Sequence, residues 1–454
     1  MTTGWIVAAF VVLCGACIQQ NAPQDQPSSN APVAANSNVN TNTAVASSAP
    51  SSSQVQVTLP LVDALMNDEG FVNDAKSSLK LTDDQVQKLK DAARNDVLTL
   101  DENDNNDTRS TRAAIKKAED TIKKTIGDDK GEQFLDLVRQ RGAETSAVSP
   151  PNSIPKDTRI VINAPAYRMD EFKDGQLVKS YKVGIGYPEW PLPTGLRKAT
   201  EIIFSPTWTP PDSPWVKGKF APGKTVEAGS KDNPLGILKI PIGLPNLIHG
   251  GKHPGKLGTF ASHGCVGLTN DLVRKFAVEL ADMGGTQLTL DEEHKYEQQK
   301  TQTQEVKLSN SVPVELRYET IVVQNGKLIV YRDVYEKGTN TEENLKKVLD
   351  AAGVSFDSFS AEDQQKMLDA VKSMALDAHG DPVDENANEN DNKSGKSKSG
   401  SHITTTVKGK KDITLAFGQL AGKGYPDPVN LEGQVSVRRE GRAPSNALLG
   451  NRSA

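Results

Sequence analysis

Apolar residues recur at helical spacing in the first third of the chain. Four of them lie three or four positions apart, at Val86, Leu89, Ala93 and Val97, and this period predicts an amphipathic helix. Thr82, with Gln85 three residues later, is typical of a capping box at the start of such a helix. Shorter patterns of the same period follow. We therefore predict a small all-α region over residues 58–147.

After Pro150-Pro151 the helical spacing gives way to short runs that are typical of strands. Two of these runs flank Asp174-Gly175, a strong hairpin signal. One apolar stripe predicts a helix: Leu272, Val273, Phe276 and Leu280. Asn270 is placed to cap that helix, and residues 286–290 are expected to form a closing strand. The pattern thus predicts a mostly-β domain with one or two helices over residues 157–290.

The last third of the chain begins with a polar stretch, which we interpret as a linker over residues 291–311. Asn325-Gly326 then predicts a second hairpin. Amphipathic periodicity follows it, so residues 312–378 are expected to form a hairpin and helical region. Residues 379–454 are first acidic and Asn-rich, then rich in Lys, Ser and Gly. This low-complexity composition predicts disorder.

The N-terminus carries an apolar run of 11 residues, from Ile6 to Ala16. It is shorter than the roughly 20 residues that a spanning helix needs, and it predicts a signal peptide over residues 1–17. Gly15-Ala16-Cys17 is similar to a bacterial lipoprotein cleavage site, so we expect a lipid anchor through Cys17 as one possibility. Residues 18–57 are mostly Asn, Ser, Ala, Pro and Thr, which predicts a disordered tether.

Composition and charge narrow the classes of function. Hydrophobic residues make up 36% of the 454 residues, and mean hydropathy is -0.50, so much of the chain does not pack into a core. The formal net charge of -5 is too small to argue for nucleic-acid binding. Of the three cysteines, only Cys265 lies outside the N-terminal apolar segment. A solitary thiol in an oxidising compartment indicates chemistry rather than a disulfide.

The stretch from His249 to Asn270 holds the residues best suited to that chemistry. Cys265 is the candidate nucleophile, but an ordinary thiol is only a few per cent ionised at neutral pH and needs a neighbouring base. Two imidazoles are available: His263, two residues before the thiol, and His249, 16 residues before it. The residues by themselves do not rank these two histidines.

Small residues around the thiol fit acyl transfer. Gly264 leaves the backbone free to aim amides at a developing oxyanion, and Ser262 is placed to hold one imidazole in a fixed tautomer. An alternative is a zinc site, for which the ligands would be His249, His253, His263 and Cys265. Because structural zinc sites usually carry more sulfur, we favour the nucleophile.

These residues resemble the signature of the L,D-transpeptidase catalytic domain of bacterial cell-wall enzymes. The matching positions are His249-Gly250, Ser262-His263-Gly264-Cys265-Val266 and Asn270. Four upstream segments resemble the same domain in the family's order: Gly184-Ile185-Gly186, Pro193-Thr194-Gly195, Pro206-Thr207-Trp208-Thr209-Pro210-Pro211 and Asn233-Pro234-Leu235-Gly236. Gly267 departs from the family pattern, which commonly has Arg there and with it a contact to a carboxylate.

The resemblance implies a curved β-sandwich that holds Cys265 at one end of a groove. It implies that Cys265 is the acylated nucleophile and His249 its general base, oriented by the Gly250 carbonyl. His263 and Gly264 would support the thiolate and the oxyanion. Candidate substrate contacts are Ser262, Asn270 and Trp208.

The reaction that the resemblance implies is peptidoglycan cross-linking. The thiol would attack the carbonyl of the third residue of a stem tetrapeptide and release D-alanine, and the amine of a neighbouring stem would resolve the thioester. Neither a metal nor an organic cofactor is required. The expected location is the periplasm, and the expected partners are peptidoglycan stem peptides.

Three alternatives stay open from the sequence. Water could resolve the same acyl-enzyme, which would make the protein an L,D-carboxypeptidase. A protein amine could resolve it instead, which would attach that protein to the wall. The non-enzymatic alternative is an envelope-anchored, wall-binding or zinc-structured protein.

Overall fold

The structure is a computed structural model and describes residues 55–100, 110–142, 149–209, 224–299, 301–383, 403–431 and 433. All of them belong to one of the two units of the chain, Pro50–Ala454. The predicted signal peptide with Cys17, and the predicted tether up to residue 54, lie outside the described residues. Among the residues that are described, no helix is long and apolar enough to cross a membrane.

Five helices occupy the segment predicted to be helical: α1 (Leu59–Met66), α2 (Glu69–Ser78), α3 (Asp83–Thr99), α4 (Thr111–Ile126) and α5 (Asp128–Gly142). Both halves of the expected capping box form at the start of α3. The apolar faces build a core in which the rings of Phe71 and Phe134 meet edge to face, 5.9 Å apart. The tether prediction is wrong at its C-terminal end, because Val55 and Val57 are buried.

The β domain is built on eight strands: β1 (Arg159–Asn163), β2 (Arg168–Lys173), β3 (Gln176–Lys182), β5 (Gly195–Phe204), β6 (Leu238–Pro241), β7 (Leu247–His249), β9 (Val266–Gly267) and β10 (Gln304–Arg317). They form one sheet in the order β3-β2-β1-β10-β5-β6-β7-β9. β4 (Ile185–Gly186) and β8 (Phe260–Ser262) pair in a separate two-stranded sheet. The hairpin predicted at Asp174-Gly175 is present, with positive φ at both residues.

One helix, α6 (Asn270–Met283), packs its apolar stripe into the core of this domain. Phe276 is fully buried, and its ring meets that of Tyr181 on β3 edge to face at 5.8 Å. The cap predicted at Asn270 is wrong. Thr269 caps the helix, because its side chain accepts a hydrogen bond from the amide of Leu272.

The linker predicted over residues 291–311 is a helix followed by a strand of the main sheet. Thr289 and Glu292 form a capping box that starts α7 (Leu290–Gln298), and β10 then lies between β1 and β5. The closing strand predicted over residues 286–290 is absent from the structure. β10 escaped prediction because its first half is polar and largely exposed. It is held instead by antiparallel pairing with β5.

The C-terminal part forms a second, three-stranded sheet: β11 (Ile321–Gln324), β12 (Lys327–Tyr331) and β13 (Asp412–Ala416). Two helices share a core with it, α8 (Glu342–Ala351) and α9 (Ala361–Met374). The predicted boundary at residue 312 is displaced, since β10 runs to Arg317. The disorder predicted over residues 379–454 is wrong for β13, which pairs with β12 along its whole length.

Candidate active site

Strands β7 and β9 bring the candidate nucleophile and base together. They pair in parallel, with Ile248 opposite Val266 and His249 opposite Gly267. Cys265 directly precedes β9, so it lies two residues before the partner of His249. Paired residues of a sheet, and residues two apart on one strand, project to the same face. The thiol and the His249 imidazole are therefore diagonal neighbours on one face of the sheet edge.

The His249 ring is buried, with 3% of the residue exposed. Its Nδ1 lies 2.7 Å from the Gly250 carbonyl oxygen, the contact expected from the family resemblance. A carbonyl only accepts, so Nδ1 carries the ring proton and the lone pair is on Nε2. Burial, reinforced by the positive charge of Lys252, lowers the pKa of His249 to about 3. The imidazole is therefore neutral at physiological pH.

His263 lies in an aromatic enclosure. Its ring meets those of Trp190 and Tyr187 edge to face, with centroids 4.5 and 5.1 Å away. Burial and then Lys252 lower its pKa to about 3 as well. Tyr187 had no signal in the sequence that linked it to the thiol, because the two are brought together only by the pairing of β4 with β8.

Cys265 is partly exposed and unbridged. Burial of the sulfur raises its pKa, opposed by the backbone of Leu247 and by the charges of Lys252 and Lys239. From the sequence we expected Ser262 to hold an imidazole, but its hydrogen bonds in the described part of the chain go to the backbone of Cys265. Its hydroxyl accepts from the Cys265 amide at 3.0 Å and donates to the Cys265 carbonyl. Ser262 therefore fixes the backbone that carries the thiol.

The backbone turns sharply at Gly264, where φ is +91°. Its carbonyl accepts a hydrogen bond from the side-chain amide of Asn246, a buried residue that no sequence motif indicated. A Cβ at Gly186 would lie 2.1 Å from the Trp190 carbonyl oxygen and 3.1 Å from the Gly264 Cα. The Trp190 carbonyl therefore leaves room only for glycine where β4 approaches the turn.

Lys252 occupies the space above Gly267. A Cβ placed at Gly267 would lie 2.7 Å from Cγ of Lys252, so the lysine stem covers the position where the family commonly has Arg. The amide of Lys252 donates to the carbonyl of Leu268 at 3.0 Å, which fixes the start of this side chain. Its charge acts on both histidines and on the thiol.

Asn270 and Trp208 have other contacts than those of a substrate site. The Asn270 side-chain oxygen accepts from the amides of Ile237 and Gly251 at 3.3 and 2.8 Å, and so fastens the glycine-rich loop that follows His249. Trp208 pairs through its backbone with Val226. Trp208 and Val226 lie on either side of residues 210–223 in the sequence, and those residues are outside the described part of the chain.

The zinc alternative finds no support in the geometry. His249, His253, His263 and Cys265 are all described, and no three His, Cys, Asp or Glu side chains among the described residues are placed to hold a metal. His253 is exposed, and its Nδ1 accepts from the amide of Gly255.

A comparison with protein families identifies the domain that contains this site. Residues 157–287 match the YkuD family model, the L,D-transpeptidase catalytic domain. This confirms the resemblance that the sequence motifs indicated. The match includes β1 to β9 and α6, while β10 of the same sheet lies beyond it.

Curated relatives match the same part of the chain. The chain is 31% identical over 137 residues to the probable L,D-transpeptidase YbiS of Escherichia coli K12, covering 29% of this chain and 44% of that protein. It is 30% identical over 146 residues to the probable L,D-transpeptidase ErfK/SrfK of the same strain, covering 30% of this chain and 45% of that protein. The chain thus spans less than half the length of these relatives.

Among solved structures, the catalytic domain of the E. faecium L,D-transpeptidase matches with 16% identity and a TM-score of 0.24. The match covers 36% of this chain and all of that domain.

Proposed function

We propose that this protein is an L,D-transpeptidase that acts on peptidoglycan stem peptides through a thioester on Cys265. The observation that carries the proposal is the pairing of β7 with β9, which sets His249 beside Cys265 within the segment that matches the family. The proposed location is the periplasm, and a lipid anchor through Cys17 belongs to the same proposal.

In the first half-reaction, Nε2 of His249 takes the proton of the thiol as the sulfur attacks the carbonyl carbon of the third stem residue. The C–N bond to the terminal D-alanine then breaks, and that amine leaves with the proton from His249. The low pKa of His249 keeps the imidazole neutral throughout the physiological pH range, so the Nε2 lone pair is available for this transfer.

The oxyanion formed in this step needs backbone donors. The amide of Cys265 is engaged by Ser262, whereas the amide of Gly264 has no acceptor among the described residues. We assign the Gly264 amide to the oxyanion hole. Asn246, which holds the Gly264 carbonyl, fixes the direction of the peptide groups at this turn.

Lys252 supplies the positive charge of the site. It favours the thiolate over the thiol and disfavours protonation of both histidines. It can also attract the carboxylates of a stem peptide. The Lys252 side chain thus places a cation over Gly267, the position where the family commonly has Arg.

Acylation by a carbapenem tests the proposal. We expect one drug mass on Cys265 of the wild-type chain and none on Cys265→Ala, measured by intact-protein mass spectrometry. His249→Ala should lose acylation while its circular dichroism is unchanged. His253→Ala removes an exposed imidazole nearby and serves as the matched control, with wild-type acylation expected.

Two results would contradict these assignments. Acylation of Cys265→Ala would remove the thiol from the mechanism. Loss of acylation in His263→Ala but not in His249→Ala would reverse the ranking of the two histidines. With a stem tetrapeptide as substrate, a tripeptide as the sole product would indicate the L,D-carboxypeptidase instead of the transpeptidase.

A further inference from the structure

The helical region is fixed against the loop that carries Trp190. The hydroxyl of Thr58 donates to the Glu189 carbonyl at 3.1 Å, and that of Thr111 donates to the Pro188 carbonyl at 2.8 Å. Val97 and Leu100 join the hydrophobic core of the β domain. The ring of Trp190 in turn lies against His263. The helical region therefore has a fixed position relative to the catalytic residues.

A cavity of about 190 Å³ lies between α1 and the catalytic turn. From α1 it is lined by Leu61, Asp63 and Ala64, and from the β domain by Asn246, His263 and Gly264. Gly264 directly precedes the nucleophile and carries the amide assigned to the oxyanion hole. A molecule in this cavity would thus lie against the turn that carries Cys265.

One buried acceptor in the lining lacks a partner. Asn246 is 3% exposed, and its side-chain nitrogen must be the atom that faces the Gly264 carbonyl, because a carbonyl only accepts. This orientation leaves Oδ1 as the remaining polar atom, buried and without a hydrogen-bond partner among the described residues. Such an acceptor is costly to leave unpaired. An N–H group from a molecule in the cavity would satisfy it.

The opposite wall adds acceptors for the same kind of molecule. Asp63 is buried and lies 3.2 Å from Nε of Arg94, so its carboxylate is held in place and its charge is balanced. The cavity therefore presents two kinds of oxygen acceptor, a carboxylate and an amide oxygen. These acceptors are suited to a ligand that carries N–H donors, such as an amine.

We propose that this cavity binds the amine-bearing stem peptide that resolves the acyl-enzyme, and that α1 is the wall that selects it. The assignment rests on the proposed transpeptidase function. The neutral amine nitrogen attacks the thioester carbonyl, a C–N bond forms and the C–S bond breaks. The proton lost by the nitrogen passes to His249 and then to the departing sulfur, which restores the thiol.

The test fills the cavity from the helical side. Ala64→Trp adds an indole to its wall, and Ala113→Trp on α4 is the matched control, because Ala113 is also partly buried but does not line the cavity.

In the assay, the full chain is given a stem tetrapeptide with a free side-chain amine. Released D-alanine reports acylation, and the cross-linked dimer reports aminolysis. For Ala64→Trp we expect the ratio of dimer to D-alanine to fall at least tenfold with a matching rise in tripeptide. For Ala113→Trp we expect the wild-type ratio.

A binding measurement separates this assignment from the proposed function. In the Cys265→Ala chain, calorimetry should show that the amine-bearing peptide binds at least tenfold more tightly than its N-acetylated form, and that Ala64→Trp removes this preference. An unchanged ratio of dimer to D-alanine in Ala64→Trp, or equal binding of both peptides, would overturn the assignment of the cavity. Absence of D-alanine release from the wild-type chain would overturn the transpeptidase, and the cavity's role with it.

Discussion

The pH dependence of thiol reactivity tests the electrostatics of the site most directly. The low pKa of His249, about 3, together with the raised pKa of Cys265, predicts a neutral imidazole and a neutral thiol at rest. The reactive state is the one in which the Cys265 thiol and the His249 imidazole together hold one titratable proton. Its population stays constant between the two pKa values.

The magnitude follows from this pairing. If the pKa of His249 were the ordinary value of about 6.5, the population of the reactive state would fall roughly 30-fold between pH 8 and pH 5. With a pKa of about 3, the loss should stay below about twofold over that range. For His249→Ala, reactivity requires a free thiolate, which is scarce at pH 7 because burial raises the pKa of Cys265. The rate of this variant should therefore rise about tenfold per pH unit.

The assay is alkylation of the full chain by iodoacetamide, with the peptide that contains Cys265 quantified by mass spectrometry between pH 5 and pH 8.5. We expect a flat profile for the wild type and for the control His253→Ala, and a steep one for His249→Ala. A break between pH 6 and pH 7 in the wild type would refute the assigned state of His249. A flat profile in His249→Ala would refute its coupling to the thiol.

Three further predictions concern side chains that support the site. Lys252→Gln should slow alkylation by the anion iodoacetate roughly threefold to tenfold more than alkylation by iodoacetamide, because a cation that acts on the thiol is lost. Lys252→Arg should restore the ratio of the two rates, and equal slowing by both reagents would contradict the role of charge. Asn270→Ala deprives the Ile237 and Gly251 amides of their acceptor, so the free energy of unfolding measured with denaturant should fall by about 1–2 kcal/mol. Asn270→Asp should be close to wild type, and equal losses in both variants would exclude the hydrogen bonds as the cause. Phe276→Ala should cost about 3–5 kcal/mol in the same measurement, because its fully buried ring leaves a cavity beneath α6; a loss below about 1 kcal/mol would mean that the core closes around the gap.

Local sequence signals determined the elements with regular patterns. The capping box at Thr82, the hairpins at Asp174-Gly175 and Asn325-Gly326, and the stripe of α6 all appear where the sequence predicted them. Each depends on contacts between residues a few positions apart. The residues from His249 to Cys265 also indicated the family whose model matches residues 157–287.

Only the tertiary structure decided which elements share a sheet and which side chains meet. The first half of β10 is polar and largely exposed, and β13 is a strand of five residues within a polar segment, so hydrogen bonds to distant strands hold both of them. Asn246 contacts the Gly264 carbonyl, and the charge of Lys252 acts on the thiol, only because the fold brings these residues to the catalytic turn. The segment that begins α1 is likewise brought to the loop that carries Trp190 by its docking on the β domain. The sequence by itself determined that a reactive thiol needs an imidazole. The parallel pairing of β7 with β9 decided that His249, the proposed base, lies beside Cys265, because register in a sheet depends on the whole core and not on local spacing.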